Sequence, residues 1–370
     1  MKKQLLTTTA MVAAGVLAIS GPALAKPKLS LGGSTEQIFG VGENSADFDG
    51  VNGARVGWDQ ISDTEIHFKG SVTLDNGIKI STRTELEGNT TGDTIDENWM
   101  RVSGSFGELR LGSMDGAAQA MTTGYMGSYA NSVGQSLGFD TQEWVQRSAA
   151  NVSTSTVHRV DLTSDGEAVG YYTPRFSGVQ LGVSYHPSSN EDNNPRELKT
   201  SDHEGWSIGI NYVGKFDGAK VGVAAGYNDM SESTAGTTDP EVWGIAAKVD
   251  VAGFRVAASY VDRSSQETTA NNVTTVAGVE SMELGASYFF GANAVSVSYL
   301  KAEGNATTAA GAGDGDETEA AVFAFRRNLG PGVSWSLSAI IADFEDGAAG
   351  AADANSNSGE ALVTSLKVKF

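Results

Sequence analysis

The chain has no cysteine among its 370 residues. That removes disulfides, thiolate nucleophiles and cysteine–zinc sites together. Basic residues are scarce, 25 against 45 acidic ones, for a net charge of −20. So acidic a chain is a poor partner for nucleic acid, and none is expected. Past the first 25 residues no apolar run approaches the roughly 20 residues a membrane helix needs. There are only four histidines, His67, His158, His186 and His203. No Gly-x-Ser-x-Gly elbow and no His-Glu-x-x-His motif accompanies them, so an enzyme is not expected. Nothing in the chain calls for a cofactor.

The N-terminus reads as a secretory signal peptide. Lys2 and Lys3 form a positive start, Leu5 to Ile19 a short apolar stretch, and Ala23-Leu24-Ala25 a small-residue cleavage site. Residues 1–25 are assigned to it and 26–370 to one domain. Without Lys2 and Lys3 the remaining chain is two charges more acidic still.

From Lys28 onward the hydrophobic period is two. In Ile78–Leu86 one face reads Ile, Ile, Thr, Thr, Leu and the other Lys, Ser, Arg, Glu. Val333–Ala339 sets Val, Trp and Leu against serines, and Trp206–Tyr212 repeats the pattern. Sixteen strands are expected, at 28–39, 64–74, 78–88, 97–106, 109–114, 167–174, 179–186, 206–215, 219–228, 241–250, 254–262, 281–290, 293–302, 318–328, 333–344 and 360–370. Their connections alternate between tight turns, such as Asp75-Asn76-Gly77 and Asp217-Gly218, and long polar segments. Short turns at one end, long loops at the other and an even strand number are the layout of a transmembrane β-barrel. Outward aromatics fall in two bands: Trp206, Tyr227, Trp243, Tyr260 and Tyr299 near the long loops, and Tyr212, Phe254, Phe290 and Phe370 near the turns. Amphipathic rings favour the two membrane interfaces. The first five strands carry fewer outward aromatics, which suggests that they and the last strand face other subunits.

Several segments carry a family likeness. The last strand ends on Phe370, similar to the C-terminal assembly signal of outer-membrane barrels. Arg101–Gly112 is a strand–turn–strand with Phe-Gly at the turn and a Leu-x-Leu-Gly return. Tyr171-Tyr172-Thr173-Pro174, then Phe176-Ser177-Gly178, form the next hairpin. In order and spacing these resemble the general-diffusion porins of Gram-negative bacteria, of the type common in alphaproteobacteria. The resemblance implies an outer-membrane homotrimer of sixteen-stranded barrels, each with its third loop folded into the lumen. It also implies passive diffusion of small hydrophilic solutes and ions, among outer-membrane lipid and lipopolysaccharide.

Sixteen strands enclose a lumen that side chains cannot fill, so a constriction must set the channel. The longest connection, Asp115 to Gly166, spans 52 residues. Its first half, Gly116 to Phe139, is small and nearly uncharged, suited to lie against an inner wall. Lys79, Arg83, Arg101 and Arg110 share lumen-facing parity on three consecutive strands. With Asp115, Asp140 and Glu143 opposite, they are the candidate constriction, where a transverse field would filter solutes. Arg147, His158 and Arg159 could join either wall. Carboxylates expected in the outer loops, Glu43, Asp47, Asp49, Asp59, Asp63, Asp314, Asp316 and Glu317, suggest a weak cation preference. The Asp314–Glu317 cluster also suits a hard divalent cation, though without EF-hand spacing. Two other readings stand beside the general pore. One is a sugar- or anion-specific channel with an aromatic track from Tyr125, Tyr129 and Phe139. The other is a structural or adhesion barrel with a plugged lumen.

Overall fold

The computed structural model describes residues 26–90, 94–148, 152–154, 158–163, 165–189, 203–231, 239–270, 273–307, 315–347 and 355–370. The signal-peptide assignment at 1–25 lies outside them.

The strands are β1 (Lys28–Glu43), β2 (Trp58–Thr73), β3 (Lys79–Glu87), β4 (Ile95–Gly104), β5 (Gly107–Ser113), β6 (Glu167–Tyr172), β7 (Val179–Ser188) and β8 (His203–Phe216). They continue as β9 (Ala219–Ser231), β10 (Glu241–Val251), β11 (Phe254–Ala270), β12 (Val273–Phe290), β13 (Asn293–Thr307), β14 (Asp316–Gly330), β15 (Val333–Glu345) and β16 (Asn357–Lys369). Each pairs antiparallel with its sequence neighbours, and β1 closes on β16. The expected sixteen-stranded antiparallel barrel is therefore the fold. Closure satisfies every strand edge internally, which a sheet in hydrocarbon requires.

Closure differs in register from a simple end-to-end match. Ser34 faces Lys369, and Gly33 and Phe370 exchange backbone hydrogen bonds of 3.0 and 3.1 Å. Leu29 and Leu31, at the start of β1, pair with Gly70 and Phe68 of β2 and lie beyond the β16 ladder. The inward residues Glu36 and Lys367 then stand opposite each other and form an ion pair of 2.9 Å.

The tight turns follow their residues. Asp217 and Gly218 both take positive φ, 44° and 84°, the twist a two-residue hairpin needs. At the other end the strands outrun the expected limits. The β11–β12 ladder pairs out to Ala270 and Val273, well into the segment 263–280 read as loop. The sequence there, rich in Ser, Thr, Gln and Glu, has no period-two apolar face, so hydropathy gives no sign of it. Glu43, Asp59 and Asp63 likewise lie on strands, and the first outer connection is short, with helix α1 at Ala46–Asn52.

The two faces differ as the period-two reading requires. Ile245, Met282, Leu284 and Ile341 are all exposed on the outer face. Aromatic bands appear at both ends of it. Trp243 packs on Tyr260 at 5.5 Å and Tyr185 on Trp206 at 5.0 Å towards the loops. Phe254, Tyr288 and Phe290 stack at 4.3 and 5.5 Å towards the turns.

Candidate pore constriction

The long connection after β5 covers the inner wall from β7 round to β1. Its ordered pieces are α2 (Ala117–Thr122), a single 3-10 turn, α3 (Gly127–Asn131) and α4 (Phe139–Trp144). Short helices leave their first N–H groups without internal partners. Here inward serines of the wall supply the acceptors. Ala117 N donates to Ser184 Oγ at 2.9 Å and Ala118 N to Ser207 Oγ at 2.8 Å. Gly127 N donates to Ser259 Oγ at 3.0 Å and Gln135 N to Ser338 Oγ at 3.0 Å. Glu283 of β12, fully buried, accepts from Ser128 N at 2.9 Å, from Ser128 Oγ at 3.0 Å and from Ser259 Oγ at 3.2 Å.

Inward glycines give the loop its room. A Cβ at Gly209 would stand 2.6 Å from the Ala117 carbonyl oxygen, and one at Gly285 2.5 Å from that of Gly127. At Gly40 it would run into the Trp144 ring. The loop's far end is pinned by Asn357, which donates to Gln146 O at 2.6 Å and to Asn44 Oδ1 at 2.9 Å.

Tyr172 of β6 packs against Ala117 and Met121 of α2, but the loop's helices otherwise lie mainly against β7–β15 and β1, away from β2–β5. The register sets Lys79 beside Ser103, Ser81 beside Arg101, Arg83 beside Trp99 and Arg101 beside Arg110. The four expected cations therefore do share one wall. Lys69 of β2, opposite Arg83, extends it. The wall is not purely basic, however. Arg83 pairs with Glu85, and with Glu97 at 3.4 Å. Glu108 meets Arg110 at 2.5 Å and Arg101 at 3.4 Å. His67 Nε2 lies 2.7 Å from Glu85 and 3.1 Å from Glu65. Arg110 also sits 4.5 Å over Tyr172 and 5.6 Å over Trp99. Stacking and ion pairing fix the guanidinium planes while leaving them partly exposed.

The expected division, cations on one wall and carboxylates on the other, needs correction here. The partners of the arginines are Glu85, Glu97 and Glu108 on the same strands. They share the arginines' parity, which is the signal that could have found them. The loop acids play separate parts. Asp115 accepts from Gln119 Nε2 at 2.5 Å and clusters with Glu97 and Asp165. Burial first, then Glu97 and Asp161, push its carboxyl up to about 7. Asp165 is pushed up to about 8 by burial and by Asp115. Asp140 accepts from Ser136 N within the loop, and burial raises its pKa. Glu143 stands exposed on α4, yet lost hydration inside the barrel, then Asp140 and Asp63, push it up to about 7.

Of the remaining loop residues, Arg147 donates to Gln142 Oε1 at 3.1 Å and to Ser148 O at 2.9 Å. His158 and His186 are fully buried, so His158 joins neither wall of the passage as an exposed group. In the outer acidic cluster, Asp314 lies outside the described residues. Asp316 accepts from Gly347 N at 2.9 Å and Glu317 pairs with Lys301 at 2.9 Å.

A closed sixteen-stranded barrel with an apolar outer face, two aromatic bands and a loop along a charged inner wall is the architecture of an outer-membrane channel. The chain belongs to the Gram-negative porin family, whose model matches residues 7–347. It is similar to outer membrane porin protein 32 of Delftia acidovorans, 26% identical over 181 residues, 47% of this chain and 48% of the relative. The chain thus spans about half the length of the curated relative it matches. In fold it resembles an anion-selective porin from Comamonas acidovorans, TM-score 0.65 at 16% identity over 93% of this chain and 100% of that one. It also resembles the trimer form of OmpT from Vibrio cholerae, TM-score 0.63 at 10% identity over 93% and 99%. Family, fold and lipid face place the protein in the outer membrane.

Proposed function

We propose that the protein is a passive diffusion channel for small hydrophilic solutes and ions, constricted between the Asp115–Gly166 loop and the wall of Lys79, Arg83, Arg101 and Arg110. The observation that carries this reading is the one-sidedness of the loop. The loop bonds to inward serines from β7 to β15 and its last helix touches β1, which leaves the charged faces of β2–β5 to line the open passage. Passive diffusion needs no cofactor. Liposome swelling tests it: rates should fall smoothly with solute size and show no saturation. Entry of one solute class alone would favour a specific channel, and no swelling a structural barrel.

On selectivity, the weak cation preference expected from the outer loops has little support. The wall pairs its own charges, and Asp115, Asp165 and Glu143 are only partly ionised at neutral pH. The Comamonas relative is described as anion-selective. We therefore infer little net preference near pH 7, tilting towards anions as those carboxyls protonate.

We also propose a homotrimer. The trimer form of the Vibrio relative supports it, as does a groove of about 230 Å³ on the outer face, lined by Phe39, Val41, Trp58, Leu337 and Leu362. An apolar recess beside the closing seam suits a protein neighbour better than fluid lipid chains. Cross-linking in native membranes should stop at three subunits.

A further inference from the structure

Two aromatic rings of the long loop stand exposed. Tyr129 on α3 is 38% exposed and Phe139 on α4 is 43% exposed. The same buried side chain backs both. His158 lies 5.1 Å from the Tyr129 ring and 5.7 Å from that of Phe139, edge-on to the latter. Its Nδ1–H donates to Thr154 O at 2.5 Å, which leaves Nε2 to accept from the Tyr129 hydroxyl at 3.3 Å. Burial pushes its pKa down to about 4, so the ring is a neutral wedge across the physiological range. Thr154 Oγ1 in turn donates to Gly138 O at 2.6 Å, and a Cβ at Gly138 would collide with the imidazole. The rings are held from behind and open in front.

Arg159 adds a charge. Its guanidinium carbon sits 4.9 Å over the Phe139 ring, on a side chain that is only half-buried. A half-buried cation stacked beside exposed aromatic faces matches one ligand chemistry: a flat π-face for stacking and an anion for the guanidinium. A sugar ring would use hydrogen bonds to paired polar side chains more than a cation.

We propose that Tyr129, Phe139 and Arg159 form a subsite in the passage for a planar aromatic carboxylate. This rests on the diffusion-channel reading and narrows it, since solutes of that class would pause at the loop rather than pass freely. The stack orients the ring against Phe139 and Tyr129, and Arg159 holds the carboxylate. The fixed His158 wedge means that the rings need not reorganise to receive it.

Benzoate is the probe, with acetate and cyclohexanecarboxylate as controls at equal ionic strength. Channels in a planar bilayer carry KCl current while each is added. Benzoate should interrupt or reduce the current in a saturable way, and neither control should do so at the same concentration. Phe139→Leu and Arg159→Gln should each raise the half-blocking concentration about tenfold, the loss of one stacking or charged contact. Heat-modifiable migration of each variant in gels confirms that its barrel is folded. Absence of KCl current overturns the channel reading itself. Normal KCl current with equal effects of benzoate and acetate overturns the subsite alone. Block by maltose but not benzoate does so as well, and so does benzoate block unchanged in both variants.

Discussion

The carboxylate of Glu283 on β12 holds Ser128, 155 residues away in the chain, by both its amide nitrogen and its hydroxyl, at 2.9 and 3.0 Å. This is the firmest tie between the long loop and the wall behind it. Glu283→Ala removes the acceptor and leaves Ser128 N and the Ser128 and Ser259 hydroxyl protons without their partner in a buried site. The cost should be on the order of 1–3 kcal/mol for loop docking rather than for the barrel. Single-channel traces should show noisier open levels, while the heat-modified gel shift stays intact. A quiet, unchanged open level would mean that the loop is held elsewhere.

The inward glycines make a second test. Gly285→Val places branched carbons where Gly127 O now lies, and the loop must leave the wall. Displaced towards β2–β5, it should narrow the passage. The liposome-swelling cut-off should fall to smaller sugars, whereas Gly218→Asn in the exposed β8–β9 turn should leave it unchanged.

The pH response follows from raised carboxyl pKa values. Asp115 and Glu143 titrate near 7 and Asp165 near 8. Above these values the groups are negative and favour cations; below them they are neutral, and the arginines dominate. Zero-current potentials in a KCl gradient should therefore move towards anion preference as pH falls from 8.5 to 6. In Asp115→Asn the shift should be smaller. A shift of opposite sign would contradict the account.

The arginine wall can be weighed residue by residue. One unit charge about 7 Å from a passing ion in water is worth roughly 0.6 kcal/mol, or about a threefold change in local ion concentration. Arg110→Gln frees Glu108 from its 2.5 Å partner as well, so its effect on the reversal potential should exceed that of Lys79→Gln. Both should move it towards cations.

The sequence carried the barrel because alternation and turn chemistry are local. Asp217-Gly218 and the pattern of β15 predict their own geometry. It carried the inward parity of Lys79, Arg83, Arg101 and Arg110 for the same reason. Strand ends were lost where hydropathy stops reporting, as at Ala270 and Val273. The wall's neutralisation by Glu85, Glu97 and Glu108 was missed because ion pairing depends on cross-strand register. The serine acceptors and glycine recesses were missed because Ser184, Gly209 and Glu283 lie tens of residues from the loop they receive. Spacing along the chain says nothing about which inward positions a loop will cover.

The central claim is an open, water-filled passage beside the loop, and single-channel recording at rising KCl tests it most directly. Discrete steps should appear, with conductance linear in voltage and proportional to salt without saturation. Absence of steps from folded barrels, or a conductance that saturates at low millimolar salt, would contradict it.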